Sequence, residues 1–375
     1  MKVLALNSSP RANGQSKTEL MMLQLVKGMS EAGASVEVVN LREKRIHNCT
    51  GCFTCWTRTP GVCIHNDEMT SELFPKWLNA DIVIYATPLY HYTLNASLKA
   101  FIERTLPLLL PFFRQYEGKT FHPMRFKHPK VIFLSVAGFP ERDIFDPLSA
   151  WVQYIFGKGG NLIAEIHRPM AEAMPLAMTR KQSADVLEAV CRAGHEIVDH
   201  SSILPETLKR IHQPLMANNQ DFFDIGNLMW KTCIAEGLTP EVLDKKGLVL
   251  RPDTIETFLI IMKMGFNDAA AADTRAVIEF RFSGEREGVC HFTIADGRIT
   301  AALGYAEKTD LIIESPFELW LDIMTGKKDG QESFLDNQYR VQGDFSLLMR
   351  LSQLFGKKPA DEKHNKNNEP EIAGR

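Results

Sequence analysis

At 375 residues, 45% of them hydrophobic, the chain is long enough for two domains with sizeable cores and needs no covalent staples. Its formal net charge of −3 gives no general attraction to nucleic acid, and no apolar run approaches the roughly eighteen residues of a membrane helix. Neither nucleic acid nor a membrane span is therefore expected. The opening MKVLALNSSPR has a short apolar run at residues 3–6, too short for a secretory signal, so a cytoplasmic location with reduced thiols is expected. The expected partners are small molecules and other proteins.

In chain order, residues 2–6, 36–39, 81–86 and 131–136 read as compact buried strands. Between them, SKTELMMLQLVKGMSEAG sets Leu20, Leu23, Val26 and Met29 at helical spacing and stops at Gly33, and NASLKAFIERT is a further helix. Strand and helix in alternation imply an α/β fold with a doubly wound parallel sheet. Ligands of such sheets bind beyond the carboxyl ends of the strands, where the loops after Leu6, Ala86 and Val136 converge. From residue 180 to about 250 the pattern is helical, as in SADVLEAVCRAGHEIVDH and DFFDIGNLMWKTCIAEG. Then AVIEFRFSG alternates, with Ile278, Phe280 and Phe282 on one face and Glu279 and Arg281 on the other. CHFTIADGRITAAL is a hairpin turning at Asp296-Gly297, DLIIES is a strand, and two amphipathic helices near 317–324 and 345–355 flank YRVQGD. The expected division is 1–200, a helical connector 201–250, a smaller α+β domain 251–357 and a disordered tail 358–375.

Two stretches carry chemistry. LNSSPRANGQSKTEL follows a strand and opens a helix, where a phosphate would meet free amides and the positive end of the helix dipole. Ser8, Ser9 and Ser16 offer hydroxyls there and Arg11 a fork of donors; an ordinary loop with Ser16 as N-cap is the plainer alternative. The loop lacks the spacing of either common dinucleotide or nucleotide motif. CTGCFTCWTRTPGVC holds Cys49, Cys52, Cys55 and Cys63. A CxxCxxC run can turn three thiolates toward one centre, and a fourth can close the site after the turn at Thr59, Pro60 and Gly61. That spacing suits iron–sulfur ligation better than structural zinc; a cluster-free thiol loop stays open, as does a redox disulfide. Cys191, Cys233 and Cys290 stand alone and read as small core residues, and His65, His122 and His128 as loop or core-edge histidines.

SSPRANGQS, CTGCFTCWTRTPGVCIHNDEM and ADIVIYATPLYHYTLNASLKAFIERT together resemble the signature regions of the flavodoxin-like NAD(P)H-dependent FMN reductases, and especially their iron–sulfur flavoprotein branch, over about residues 1–175. The resemblance implies a five-stranded parallel sheet with FMN phosphate on Ser9, Arg11, Gln15, Ser16 and Thr18. It places the flavin ring along Pro88, Leu89, Tyr90 and His91, with Ala137 and Gly138 at the remaining flavin-edge loop, and makes Cys49, Cys52, Cys55 and Cys63 the ligands of an iron–sulfur cluster. Two departures are visible: Ser8 stands where the family usually has Gly, and the gap before Cys63 is longer than in the branch. Residues 255–356 resemble sterol-carrier-protein domains, which implies a hydrophobic ligand between sheet and helices. The function so implied is an FMN-dependent oxidoreductase moving electrons from NAD(P)H or a protein donor to a small-molecule or protein acceptor. The rival readings are a non-enzymatic electron carrier and a lipid-binding protein with a regulatory flavin domain. A homo-oligomer is expected.

Overall fold

The computed structural model describes residues 1–12 and 14–355; the expected disordered tail lies outside the described residues. The chain divides into two compact units, Met1–Ala217 and a second beginning at Asn218, a boundary inside the stretch read as a connector.

In the first unit the strands of the main sheet are β1 (Lys2–Asn7), β2 (Ser35–Asn40), β3 (Ile82–Pro88), β4 (Lys130–Val136) and β5 (Leu162–Arg168). They form one parallel sheet in the order β2-β1-β3-β4-β5, the flavodoxin-like order, whose topological switch point lies between β1 and β3. Helices on both faces explain the near-continuous burial of β1, β3 and β4. Helix α1 (Lys17–Glu31) starts where the Ser16 side chain accepts from the Glu19 amide, and the chain leaves it through Gly33 at φ +91°. Helix α2 (Ala96–Glu103) is capped in the same way by Asn95, and α3 (Asp146–Val152) follows β4. The long α4 (Arg180–His200) packs along α1, and α5 (Pro205–Ile211) closes the unit. The core gathers Leu6, Trp77, Tyr85, Phe101 and Phe133. The Tyr85 hydroxyl is satisfied there by the Trp77 indole N–H at 2.7 Å.

The second unit holds α6 (Asn219–Glu236), α7 (Pro240–Lys245) and α8 (Ile255–Gly265), then β6 (Ala276–Ser283), β7 (Gly288–Ala295), β8 (Arg298–Leu303) and β9 (Leu311–Pro316). Helix α9 (Phe317–Met324), β10 (Arg340–Gly343) and α10 (Phe345–Leu354) follow, with a short helical turn at Gly330–Leu335 before β10. The sheet order is β8-β7-β6-β9-β10, antiparallel except for the β6/β9 pair. Asp296 and Gly297 turn the β7–β8 hairpin with φ of 52° and 69°, the left-handed pair a two-residue type I′ turn requires. Alternation along β6 puts Ile278, Phe280 and Phe282 in the core, as its pattern predicts. Glu279, expected on an open polar face, is instead 1% exposed: its carboxylate accepts from Arg281 Nε and from the Ala306 amide, both at 2.8 Å, so a following loop covers that face.

Candidate functional site

Three loops leave the carboxyl ends of β1, β3 and β4 at the switch point. The first is tied down at both ends of its opening turn. Ser8 donates its amide to the Ala86 carbonyl at 2.9 Å and its hydroxyl to the same oxygen at 3.0 Å, and Ser9 donates its amide to Asn7 Oδ1 at 3.1 Å. Ser8, departing from the glycine the family usually has, therefore fits by gaining a β3 partner. Ser9, Ser16 and Thr18 are all buried. Ser9 Oγ accepts the Arg11 amide at 3.3 Å, and Gln15 donates its amide to the Ala12 carbonyl at 3.1 Å. With the Glu19 amide taken by Ser16, the amides of Lys17 and Thr18 still have no acceptor within the helix. They and the dipole form a natural anion site.

The second loop carries Pro88, Leu89, Tyr90 and His91. Leu89 donates its amide to the Val136 carbonyl at 2.8 Å, which binds this loop to the third. Tyr90 and Thr93 exchange both backbone hydrogen bonds across His91 and Tyr92, whose φ values are 47° and 61°. Two bulky residues in the left-handed region are costly; the tight turn holds the rings of Tyr90 and Tyr92 in solvent, 44% and 51% exposed. At the base of the loop Asn95 Nδ2 donates to the Ser8 carbonyl at 2.6 Å while its Oδ1 caps α2. Asn95, a residue the motif reading quoted without a role, thereby links the first two loops; its place just before a helix was the signal available.

In the third loop, Ala137 donates its amide to the Arg168 carbonyl and accepts from the Ala171 amide, at 3.0 and 2.8 Å. A Cβ on Gly138 would stand 3.7 Å from the Glu172 side chain. Glu172 also holds Arg11, Nη1 to Oε1 at 2.6 Å, with Lys17 Nζ 3.8 Å from its other oxygen. Arg11, read from sequence as a phosphate donor, is thus paired with a carboxylate that sequence reasoning did not single out.

The four cysteines form a second locus. Cys49, Cys52, Cys55 and Cys63 line one pocket together with His65, Glu103, Arg104 and Leu106. Left-handed Gly51 and Phe53 bend the CxxCxxC run into a helical turn at Thr54–Thr57. The longer gap folds back as Gly61 donates its amide to the Cys55 carbonyl at 2.9 Å and Val62 donates to that of Thr59, returning Cys63 to the others. All seven cysteines are free. Burial and then the neighbouring Cys63 push the Cys55 thiol up, whereas the Thr54 side chain draws Cys52 down.

Behind the thiols lies a buried ion pair. Arg104 donates to both carboxylate oxygens of Asp67, at 2.7 and 3.0 Å, and to the His47 carbonyl at 2.7 Å and Thr70 Oγ1 at 2.9 Å. Burial opposes both charges, yet the pairing holds the Asp67 carboxyl well below its ordinary range, and Asp67 with Cys63 keeps Arg104 high. Arg104 Nε and His65 Nε2 are buried with no hydrogen-bond partner. His65, read as an isolated loop histidine, belongs to the pocket and stacks on His47 with ring centroids 5.6 Å apart. Arg104 caps the carboxyl end of α2 while Asn95 caps its start, so the pocket and the second loop stand at opposite ends of a helix about 12 Å long.

Residues 1–138 match the model of the NADPH-dependent FMN reductase family, and residues 263–356 that of the SCP-2 sterol transfer family. An iron–sulfur flavoprotein of Archaeoglobus fulgidus is 36% identical over 107 residues, covering 28% of this chain and 46% of that protein. One of Methanocaldococcus jannaschii is 31% identical over 112 residues, covering 30% and 55%. The chain thus spans about half the length of these curated relatives. Among solved structures, the NAD(P)H:quinone oxidoreductase of Methanothermobacter marburgensis aligns with a TM-score of 0.39 and 18% identity over 52% of this chain and 96% of its own. In one chain, then, a region that matches the NADPH-dependent FMN reductase family, residues 1–138, precedes one that matches the SCP-2 sterol transfer family, residues 263–356.

Proposed function

We propose that this protein is an FMN-dependent oxidoreductase that takes reducing equivalents from NAD(P)H or a protein donor and delivers them to an acceptor. The observation that carries the reading is the meeting of three loops at the β1/β3 switch point, the first two and the start of the third within the segment matched by the reductase family. FMN would supply the redox chemistry, since a flavin accepts hydride and can release electrons singly. The chain's part is to bind and orient it. The first-turn amides of α1 and Ser16 would receive the terminal phosphate, with Ser9, Gln15 and Thr18 around it and Arg11 adding charge. Residues 88–91 would flank the ring, and the backbone at Ala137 and Gly138 would meet its edge.

Cys49, Cys52, Cys55 and Cys63 would hold an iron–sulfur cluster. Four sulfurs on one tetrahedral ion stand about 3.8 Å apart. The trio of His, Cys, Asp or Glu donors that converges within 4.8 Å among the described residues lies elsewhere in the chain. Four thiols gathered on one pocket suit ligands that bind different irons of one cluster. The same pocket favours a second reading, a carrier that exchanges electrons with protein partners without steady turnover of NAD(P)H. In the SCP-2-like region an apolar molecule would lie between helices and sheet.

Purification without oxygen tests these readings. The expected result is a flavin spectrum with added iron–sulfur absorbance, FMN rather than FAD on extraction, and NADH or NADPH oxidation with a soluble quinone. Reduction by a protein donor alone would favour the carrier. Absence of bound FMN in freshly prepared protein that also takes up none on titration would overturn both.

A further inference from the structure

Helices α1 and α4 touch backbone to backbone. A Cβ on Gly28 would stand 1.8 Å from the Cys191 carbonyl oxygen, and one on Gly194 would stand 2.4 Å from that of Leu25, so two glycines fix the height and rotation of the crossing. Beside this contact Cys191 and His195, four residues apart on α4, share one helix face. Opposite them is Glu31, the last residue of α1. Cys191 Sγ lies 3.6 Å and His195 Nε2 3.0 Å from the same oxygen, Glu31 Oε2, and all three donor atoms lie within 4.8 Å of one another.

We propose that Glu31, Cys191 and His195 form a binding site for a zinc-type transition-metal dication that clamps α1 to α4. Bonds of about 2.0–2.3 Å in tetrahedral geometry set neighbouring donors roughly 3.3–3.8 Å apart; the two separations to Glu31 Oε2, 3.6 and 3.0 Å, need adjust only by tenths of an ångström, and rotation of the Cys191 and His195 side chains closes the third. One sulfur, one imidazole nitrogen and one carboxylate oxygen suit zinc and its neighbours, not calcium or magnesium, which take oxygen ligands. Lys27 Nζ stands 3.8 Å from the other Glu31 oxygen, Oε1, leaving Oε2 for the metal. With Glu31 and His195 47% and 40% exposed, water reaches the fourth position. The clamp would stiffen the far end of the helix whose first turn forms the anion site.

The full chain, stripped with chelator and kept reduced without oxygen, is titrated with Co²⁺ as the probe. Any Co²⁺ that the loop cysteines take up is common to every variant, so the comparison isolates the new site. Wild type should bind one equivalent more than Cys191→Ser, Glu31→Gln or His195→Gln, and Zn²⁺ should raise the unfolding temperature of wild type more than that of each variant. Glu31→Gln and His195→Gln keep the test open if Cys191→Ser fails to fold. Equal stoichiometry in wild type and the folded variants would overturn the proposal, as would a loss confined to Cys191→Ser.

Discussion

Glu172 stands where two of the three loops meet, and it occupies the guanidinium that a phosphate would use: Arg11 Nη1 is 2.6 Å from its carboxylate. Both side chains are about half exposed, so the pair itself contributes little to stability, and its effect is competition for the cation. Arg11→Ala should weaken FMN retention by on the order of 1.5–3 kcal/mol, while Glu172→Gln should tighten it by freeing Arg11. Fluorescence titration of the apoprotein with FMN measures both, and weakening by Glu172→Gln as large as by Arg11→Ala would make the carboxylate part of the site rather than its competitor. Ser16 was legible because a cap and the amide that donates to it are three residues apart. Glu172 was not, since it meets Arg11 across 161 residues, and neither was the Asp67–Arg104 pair across 37. The cysteines were found by spacing, but the buried cation behind them is a product of the fold. Cys52→Ala should abolish bound iron and acid-labile sulfide yet leave FMN in place, because Cys52 lines the pocket at the far end of α2 from the second loop. Iron and sulfide assays beside flavin extraction decide this, and retained iron would remove Cys52 from the ligand set.

Strands and helices were read with most success where the information is local. The alternation of β6, the Asp296-Gly297 turn and the cap of α1 each depend on residues a few positions apart, so period and turn chemistry suffice. The burial of Glu279 was not readable, because Ala306, which covers it, lies 27 residues away. The layer between α8 and the second sheet is likewise a non-local product. Phe258 is fully buried, with ring centroids 5.2 Å from Phe280, 5.0 Å from Phe282, 5.9 Å from Phe292 and 6.3 Å from Phe317. An apolar guest in this layer must compete with that ring cluster. Phe258→Ala should therefore cost the second unit about 3–5 kcal/mol through lost contacts and a residual cavity, while giving a fluorescent fatty-acyl probe more room. Urea unfolding and probe titration of the full chain test the two effects together. Weaker probe binding alongside the expected loss of stability would place the guest elsewhere.

At the scale of the whole chain, two compact units with separate cores should give two unfolding transitions, and acid should distinguish them. His167 and His212 both belong to the first unit, and burial, with the Arg142 charge helping, pushes each down to about 4. The His167 ring stacks on Phe145 at 4.6 Å, and His212 Nδ1 faces Arg142 at 3.3 Å. Buried Arg168 is a further cation near His212. Glu165 Oε2 lies 3.5 Å from His167 Nε2, and it does not outweigh the burial. Burial also lowers His128, packed against Trp77. The unfolded chain takes up protons near the ordinary histidine pKa of about 6.5, before the folded chain does. The stabilisation is therefore complete above about pH 6.5 and is lost as the pH falls toward about 4, at roughly 1.4 kcal/mol per pH unit for each such histidine. Among the described residues the second unit contains one histidine, His291, hydrogen-bonded to the Gly304 carbonyl at 2.9 Å. Scanning calorimetry between about pH 7 and pH 4 should show the first unit's transition falling faster than the second's, with Phe258→Ala identifying the second because it shifts that one alone. His167→Phe should flatten the acid limb of the first transition by about one proton's slope, and parallel movement of both transitions with pH would rule out the buried histidines as the cause.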